Sequence, residues 1–182
     1  MRKLVVTENI TLDGVIDMAG GWFDPLDTDV DQSDITAANT EFSRAADALL
    51  VGRNTFVSFR EFWPKQSDDH TGVSDYLNRV DKYVVSSTLD DPGWENTTVL
   101  RGPLLGEVRA LKDAPGRDIV VTGSIRLVHA LVAAGVVDEY RLFVTPVVVG
   151  RGARLFDSVD ARLTLLETRR FESGVVLLRY GT

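Results

Sequence analysis

The chain of 182 residues has no cysteine and only two histidines, His70 and His129. The first absence removes disulfide scaffolds, thiolate metal sites, cysteine nucleophiles and zinc-deaminase chemistry together. The second leaves too few imidazoles for a His-rich centre, so no metal is expected. Basic charge is also in deficit: 20 Lys and Arg against 27 Asp and Glu give a net charge of −7. Without a basic stripe to displace phosphate counterions, nucleic acid is not an expected partner. There is no apolar run of about 18 residues to cross a membrane. Met1 to Val6 leads directly into a strand pattern with no signal-type segment, and a cytoplasmic protein is expected. G-x-S-x-G, the Walker lysine motif and H-E-x-x-H are all missing, which leaves hydrolases and NTP-dependent enzymes without support.

What is present is an ordinary globular balance, 44% hydrophobic and 26% charged, with no repeat, low-complexity tract or long linker. One domain over residues 1–182 is expected. Strand-like runs at 4–10, 47–51, 82–86, 97–100 and 118–122 alternate with helical patterns. These cover 33–46, 55–62, 74–79, 104–112 and 125–134. Ser124 is placed to cap the last helix and Gly135 to close it. Such alternation predicts an α/β fold with a mainly parallel sheet covered by helices on both faces. The C-terminal third changes character: a β-branched run covers 139–149. Segments 163–171 and 175–180 flank Glu172-Ser173-Gly174, a hairpin signal that predicts an antiparallel edge.

Three of the strands end in similar punctuation. Leu49-Leu50-Val51 runs into Gly52-Arg53-Asn54-Thr55, and Tyr83-Val84-Val85 into Ser86-Ser87-Thr88. Ile119-Val120-Val121 runs into Thr122-Gly123-Ser124. A strand that stops at Gly, Ser or Thr before a helix presents free N–H groups and the positive end of a dipole. Three such turns, one with an arginine suited to bidentate phosphate binding, point to a cofactor with more than one phosphate and to a nucleotide-dependent enzyme. Each also has a plain structural reading as a helix cap or strand-closing turn. After the first strand, Thr11-Leu12-Asp13-Gly14 opens a long Gly-rich loop over 13–29 containing Trp22 and Phe23. A loop of that length suits a lid that closes to exclude water. Gly150-Arg151-Gly152 lacks a third glycine, since Leu155 stands there, and reads as a turn rather than a dinucleotide fingerprint. His129, in an apolar helix, is expected to be packed, and His70, in a polar loop beside Asp68 and Asp69, to be solvated.

In order, these segments resemble the dihydrofolate-reductase-like family, in the branch related to the reductase domain of bacterial riboflavin biosynthesis. The resemblance rests on Thr11-Leu12-Asp13-Gly14, on Ala46 to Thr55, on Lys82 to Leu89 and on Val121-Thr122-Gly123-Ser124. It continues through Val137 to Leu142, Pro146, Gly150, Gly152, Leu155 and Phe156, and so spans essentially the whole chain. It implies a three-layer fold that binds NADPH along the strand ends, often as a homodimer, with a small heterocycle as substrate. By the same resemblance Gly52, Arg53 and Thr55 hold the pyrophosphate or adenosine phosphates. Ser86, Ser87 and Thr88 lie near the ribose 2′-phosphate, and Thr122, Gly123 and Ser124 near the pyrophosphate and nicotinamide. The neutral hydroxyls at 86–88 suit a 2′-phosphate, which an acid there would repel, although Asp90 and Asp91 follow.

Folate-reducing members use a carboxylate in the helix after the lid as the acid. Asp34 and Glu41 occupy that region, and Asp13, near the nicotinamide, is the favoured alternative. Thr11, Trp22 and Phe23 are expected at the substrate and lid. The companion deaminase domain of the pathway, which needs zinc and cysteines, has no counterpart in this sequence. A nucleotide-binding regulatory protein without turnover is the alternative function.

Overall fold

The computed structural model describes residues 1–26, 31–66, 69–157 and 159–182. Strand β1, Leu4–Thr11, leads through the loop to helix α1, Ser33–Ala45, whose buried Ala38 and Phe42 lie one turn apart. Then come β2, Ala46–Gly52, buried along nearly its whole length, and α2, Arg53–Phe62. Helix α3, Val73–Arg79, precedes β3, Asp81–Val85, and β4, Thr97–Leu100. Helix α4, Leu104–Asp113, ends before Pro115, and β5, Asp118–Val121, leads into α5, Ile125–Ala133. Strand β6, Glu139–Thr145, and the hairpin of β7, Thr164–Arg170, with β8, Val176–Gly181, complete the sheet.

The eight strands lie in the order β4-β3-β2-β5-β1-β6-β8-β7. Pairing is parallel from β4 through β6, and β8 runs antiparallel to both β6 and β7. The predicted α/β architecture and hairpin edge are both present. One cluster, built on Leu4, Val6, Leu50, Ile119 and Val121, packs the sheet against α4 and α5. The opposite face carries two separate clusters. Phe56 and Leu77 of α2 and α3 cover Leu49, Val51 and Val84, while Ala38 and Phe42 of α1 cover Phe143 and Leu177. Apolar strands with both faces covered are what a central parallel sheet requires.

Three local expectations differ. The run expected to be strand over 139–149 ends at Thr145, because Pro146 has no N–H for the ladder; Val147 folds back to donate to Thr145 O at 2.8 Å. Helix α2 starts at Arg53 rather than Thr55, which makes Arg53 its first helical residue. Ser124 stands at the N-cap of α5 but its side chain makes no capping bond. Gly135 closes α5 as expected, at φ +63° with its N–H on Val132 O.

Candidate cofactor and active site

The carboxyl ends of the parallel strands carry nearly every residue singled out in the sequence. The register Val6↔Val121 and Leu50↔Val121, extended two residues, lines up Glu8, Gly123 and Gly52 across β1, β5 and β2. Gly52 N–H donates to Gly123 O at 3.3 Å. Both glycines are required by close approach. A Cβ on Gly52 would stand 2.0 Å from Ser124 Oγ, and one on Gly123 would stand 2.8 Å from Thr55 Oγ1. Gly123 also has φ +96°, and the Gly123–Ser124 peptide is cis. With no side chains at these two points, the N-termini of α2 and α5 meet, and their dipoles point to one place.

Beside that junction Arg53 Nη1 donates to Thr88 Oγ1 at 2.9 Å, joining the turns after β2 and β3. Ser87 and Thr88 are exposed. Ser86 is buried, and its Oγ accepts the N–H of Thr88 at 3.2 Å and of Leu89 at 3.0 Å, so it shapes the turn rather than facing solvent. Asp90 is turned toward Arg101 at 3.9 Å, and Asp91 holds the Gly93 amide. Arg101 itself donates to Leu89 O at 2.7 Å. A second cation therefore flanks the hydroxyl turn, supplied from the end of β4; its single position after a four-residue strand gave no sequence signal.

Thr11 and Asp13 tie the loop after β1 to the loop after β6. Thr11 Oγ1 donates to Asp13 Oδ1 at 2.7 Å and accepts Val15 N–H at 2.9 Å. The Asp13 carboxylate also takes the amides of Val149 and Gly150, and Arg154 stands 3.7 Å away. The Thr11 hydroxyl above all, and then the two amides, hold its pKa below the usual carboxylate range. Trp22 Nε1 donates to Asp17 O at 2.8 Å and its ring tilts against Phe23 at 5.9 Å. Part of the lid expected over 13–29 lies outside the described residues, as does Asp68. An open cavity of about 510 Å³ separates the two loops, lined by Asp17, Ala19, Gly20, Trp22, Val149, Arg151 and Gly152. His129 donates to Arg154 O at 2.7 Å, consistent with a packed role.

The structure gives Asp13 and Asp34 positions unlike those of a free acid. Asp34 accepts Glu172 N–H at 2.8 Å, fastening the start of α1 to the β7–β8 hairpin, and Glu41 pairs with Arg169 at 3.1 Å. The acid that sequence reasoning passed over is Glu8. It lies on the apolar face of β1 in alternation with Leu4, Val6 and Ile10, and only 6% of it is exposed. Burial pushes its carboxyl up to about 8 against the opposing effect of the nearby Gly123 amide, and Oε1 has no partner among the described residues. That alternation was legible: an acid in phase with three core residues is the signal. On the other face, Thr7 and Arg141 are register neighbours between the two helical clusters. Thr7 Oγ1, Arg141 Nη1 and Tyr76 OH, all buried, have no partner there.

Comparison with known proteins agrees with this architecture. Residues 2–177 match the RibD C-terminal domain family. The chain is 34% identical to the uncharacterised protein YyaP of Bacillus subtilis (strain 168) over 98% of its own length and 94% of that protein. A Shewanella sp. PV-4 structure, named for riboflavin biosynthesis, superposes with a TM-score of 0.72 at 20% identity, covering 98% of each chain. A pyrimidine reductase-like protein of Corynebacterium diphtheriae gives 0.69 at 18% identity, over 99% of this chain and 91% of that one. The Thermotoga maritima diaminohydroxyphosphoribosylaminopyrimidine deaminase/5-amino-6-(5-phosphoribosylamino)uracil reductase gives 0.64 at 16% identity. This chain aligns over 99% of its length with 56% of that one. The family match covers nearly the whole chain, and the solved neighbours share its fold: the chain belongs to the RibD C-terminal domain family.

Proposed function

We propose that this chain is an NADPH-dependent reductase acting on a small heterocycle of the pteridine or pyrimidine type. The observation that supports the reading is the meeting of two helix N-termini at Gly52 and Gly123, brought so close that an added Cβ would strike Ser124 or Thr55. Thr55, Thr122 and Ser124 offer hydroxyls to the pyrophosphate, and Gly52 and Gly123 let the backbone at the two helix starts come close. Arg53, with Ser87 and Thr88, offers charge and hydroxyls to a 2′-phosphate, while Ser86 fixes their turn. Bound there, a dihydronicotinamide supplies the hydride. The protein contributes position and dryness: Thr11 and Asp13 order the lid, and Trp22 and Phe23 close it over the ring. Asp13, held as the carboxylate, suits that tie better than proton donation, and Asp34 braces α1. The reductase names of the Corynebacterium and Thermotoga neighbours support a pyrimidine-like ring. Thr7 Oγ1, Arg141 Nη1 and Tyr76 OH, atoms without partners among the described residues, are polar groups that such a ring can engage.

The test is titration of the protein with NADPH and NADH, read by tryptophan fluorescence and repeated on Arg53→Ala. Loss of one charge-assisted contact predicts NADPH binding weaker by roughly 10- to 100-fold, with NADH nearly unchanged. Absence of binding by either cofactor sinks the reading. The alternative, a nucleotide-binding regulatory protein without turnover, is favoured by one fact: Asp13 and Asp34 are both spent in structural bonds. NADPH oxidation against a panel of pteridines and pyrimidines separates the two. A homodimer is part of the proposal, and sedimentation tests it.

A further inference from the structure

Glu8 is the buried ionisable group that the scheme above leaves without work. It stands in the row Glu8–Gly123–Gly52, directly beneath the turn from which α5 starts. The Gly123 amide lies near enough to its carboxyl to favour the charged form, and Oε1 has no partner among the described residues. Its surroundings on that face are Val6 and Ile10 of its own strand, Leu142 beside it on β6 and Val121 on β5. The ionisable groups on the neighbouring strands, α5 and loops are Asp118 of β5, Arg126 and His129 of α5, Glu139, Tyr140 and Arg141 of β6, Asp13 and Asp17 of the loop after β1, and Arg154. Among the described residues none forms an ion pair with it; burial raises its carboxyl and the Gly123 amide opposes that in part. His129 and Arg154 are engaged with each other's segment and with Asp13.

We propose that Glu8 is a positioning residue of the dinucleotide site: its neutral carboxyl holds the Gly123 amide and so sets the turn, and its ionised form opposes an anion bound at that turn. The proposal rests on the cofactor reading. The neutral form anchors the Gly123–Ser124 turn at no electrostatic cost. Ionised, it places an uncompensated negative charge under the N-terminus of α5, where a phosphate of the cofactor would lie. It also competes with that phosphate for the field of the helix end. Anion binding therefore favours the proton on Glu8, and its carboxyl titrates higher in the complex than in the free protein. By linkage, affinity is level below the free-protein value of about 8 and falls above it.

The experiment is the NADPH dissociation constant measured from pH 7 to 9 at fixed ionic strength, on the wild-type chain, Glu8→Gln and Glu8→Met. Restricting the range to pH 7 and above keeps the cofactor's own 2′-phosphate fully ionised. The wild-type affinity should fall by up to about tenfold across that range. Both variants should bind with a flat profile, the amide more tightly than the thioether because it still meets the Gly123 amide. Circular dichroism melts establish that each variant is folded, and two variants guard against one failing to fold. A purely structural role lowers affinity without changing the profile, so parallel curves for wild type and Glu8→Gln overturn the proposal and leave the cofactor reading standing. Absence of NADPH binding by all three folded proteins at every pH overturns both.

Discussion

Replacement of Gly52 by alanine isolates the contact on which the site is built. Gly52 lies in extended backbone, φ −79° and ψ 159°, which alanine adopts without strain. On backbone entropy alone the change would stabilise the protein by about 0.4–1 kcal/mol. The structure predicts the reverse. The new Cβ would lie 2.0 Å from Ser124 Oγ, 3.1 Å from Ser124 Cβ and 3.2 Å from Ser124 N. Rotation of Ser124 relieves the first contact, but the other two belong to the start of α5 and require the helix to retreat by a few tenths of an ångström. Overpacking of that kind costs about 1–3 kcal/mol, so a net loss of about 1–2 kcal/mol is expected. Removing the opposing side chain should return most of it: in Gly52→Ala/Ser124→Gly only the 3.2 Å contact with the backbone nitrogen remains. The coupling between the two positions should therefore be about 1 kcal/mol or more, measured from urea midpoints at constant m. NADPH affinity should fall in the single variant, and the double, which lacks the Ser124 hydroxyl, should recover stability without recovering full affinity. A single variant as stable as wild type, or a double variant no better than the single, would mean that α2 and α5 do not meet here.

Gly123→Ala should be worse and less readily rescued, because Thr55→Ala removes the 2.8 Å contact but not the cost of φ +96°; urea melts of the three variants measure this. Glu8→Gln should be more stable than wild type at neutral and alkaline pH. The folded value of about 8 lies above the unfolded one, so wild-type stability, full below about 4.5, declines by up to ~1.4 kcal/mol per pH unit until pH 8. Paired denaturation curves at pH 5 and pH 8 read the widening gap, and a constant gap refutes it. Glu139→Ala should cost about 3–5 kcal/mol by the same assay, since it strips the common partner from Arg141, 2.8 Å away, and Arg179, also 2.8 Å away. Burial raises the Glu139 carboxyl but the two guanidinium groups outweigh it, leaving it below the usual range, so this contribution is present above pH ~4.5 and lost on acidification. Asp13→Ala should speed hydrogen exchange at the Val149 and Gly150 amides and leave exchange in β2 unchanged.

The fold was largely legible because the signals were local and repeated. Gly, Ser or Thr punctuation closed β2, β3 and β5, and the apolar period changed from strand-like to helical across each. Pro146 was the exception that a composition-based reading of 139–149 overlooked, since β-branched residues continue past it while the ladder cannot. The strand-end turns proposed to hold phosphate were legible for the same reason: they consist of backbone and short hydroxyls. The acid was not. Asp13 and Asp34 attracted notice by their position along the chain, but which bonds a carboxylate enters depends on partners at 149–150 and 172, far away in sequence. Glu8 lay in an apolar strand pattern where the eye reads through a single charge, although its phase with Leu4, Val6 and Ile10 marks it as buried.

The place of β1 in the sheet bears on how the protein comes to be folded. This first strand sits between β5 and β6 and pairs with no segment near it in the chain. It must wait, unpaired, while the four strands that follow it are made, and its apolar face has no shelter in that interval. Closing so long a loop before any pairing rewards it slows the search for the native topology. Nascent chains interrupted before residue 118 would carry the row's first member with nothing to lie against, and these are the species that a chaperone would be expected to hold.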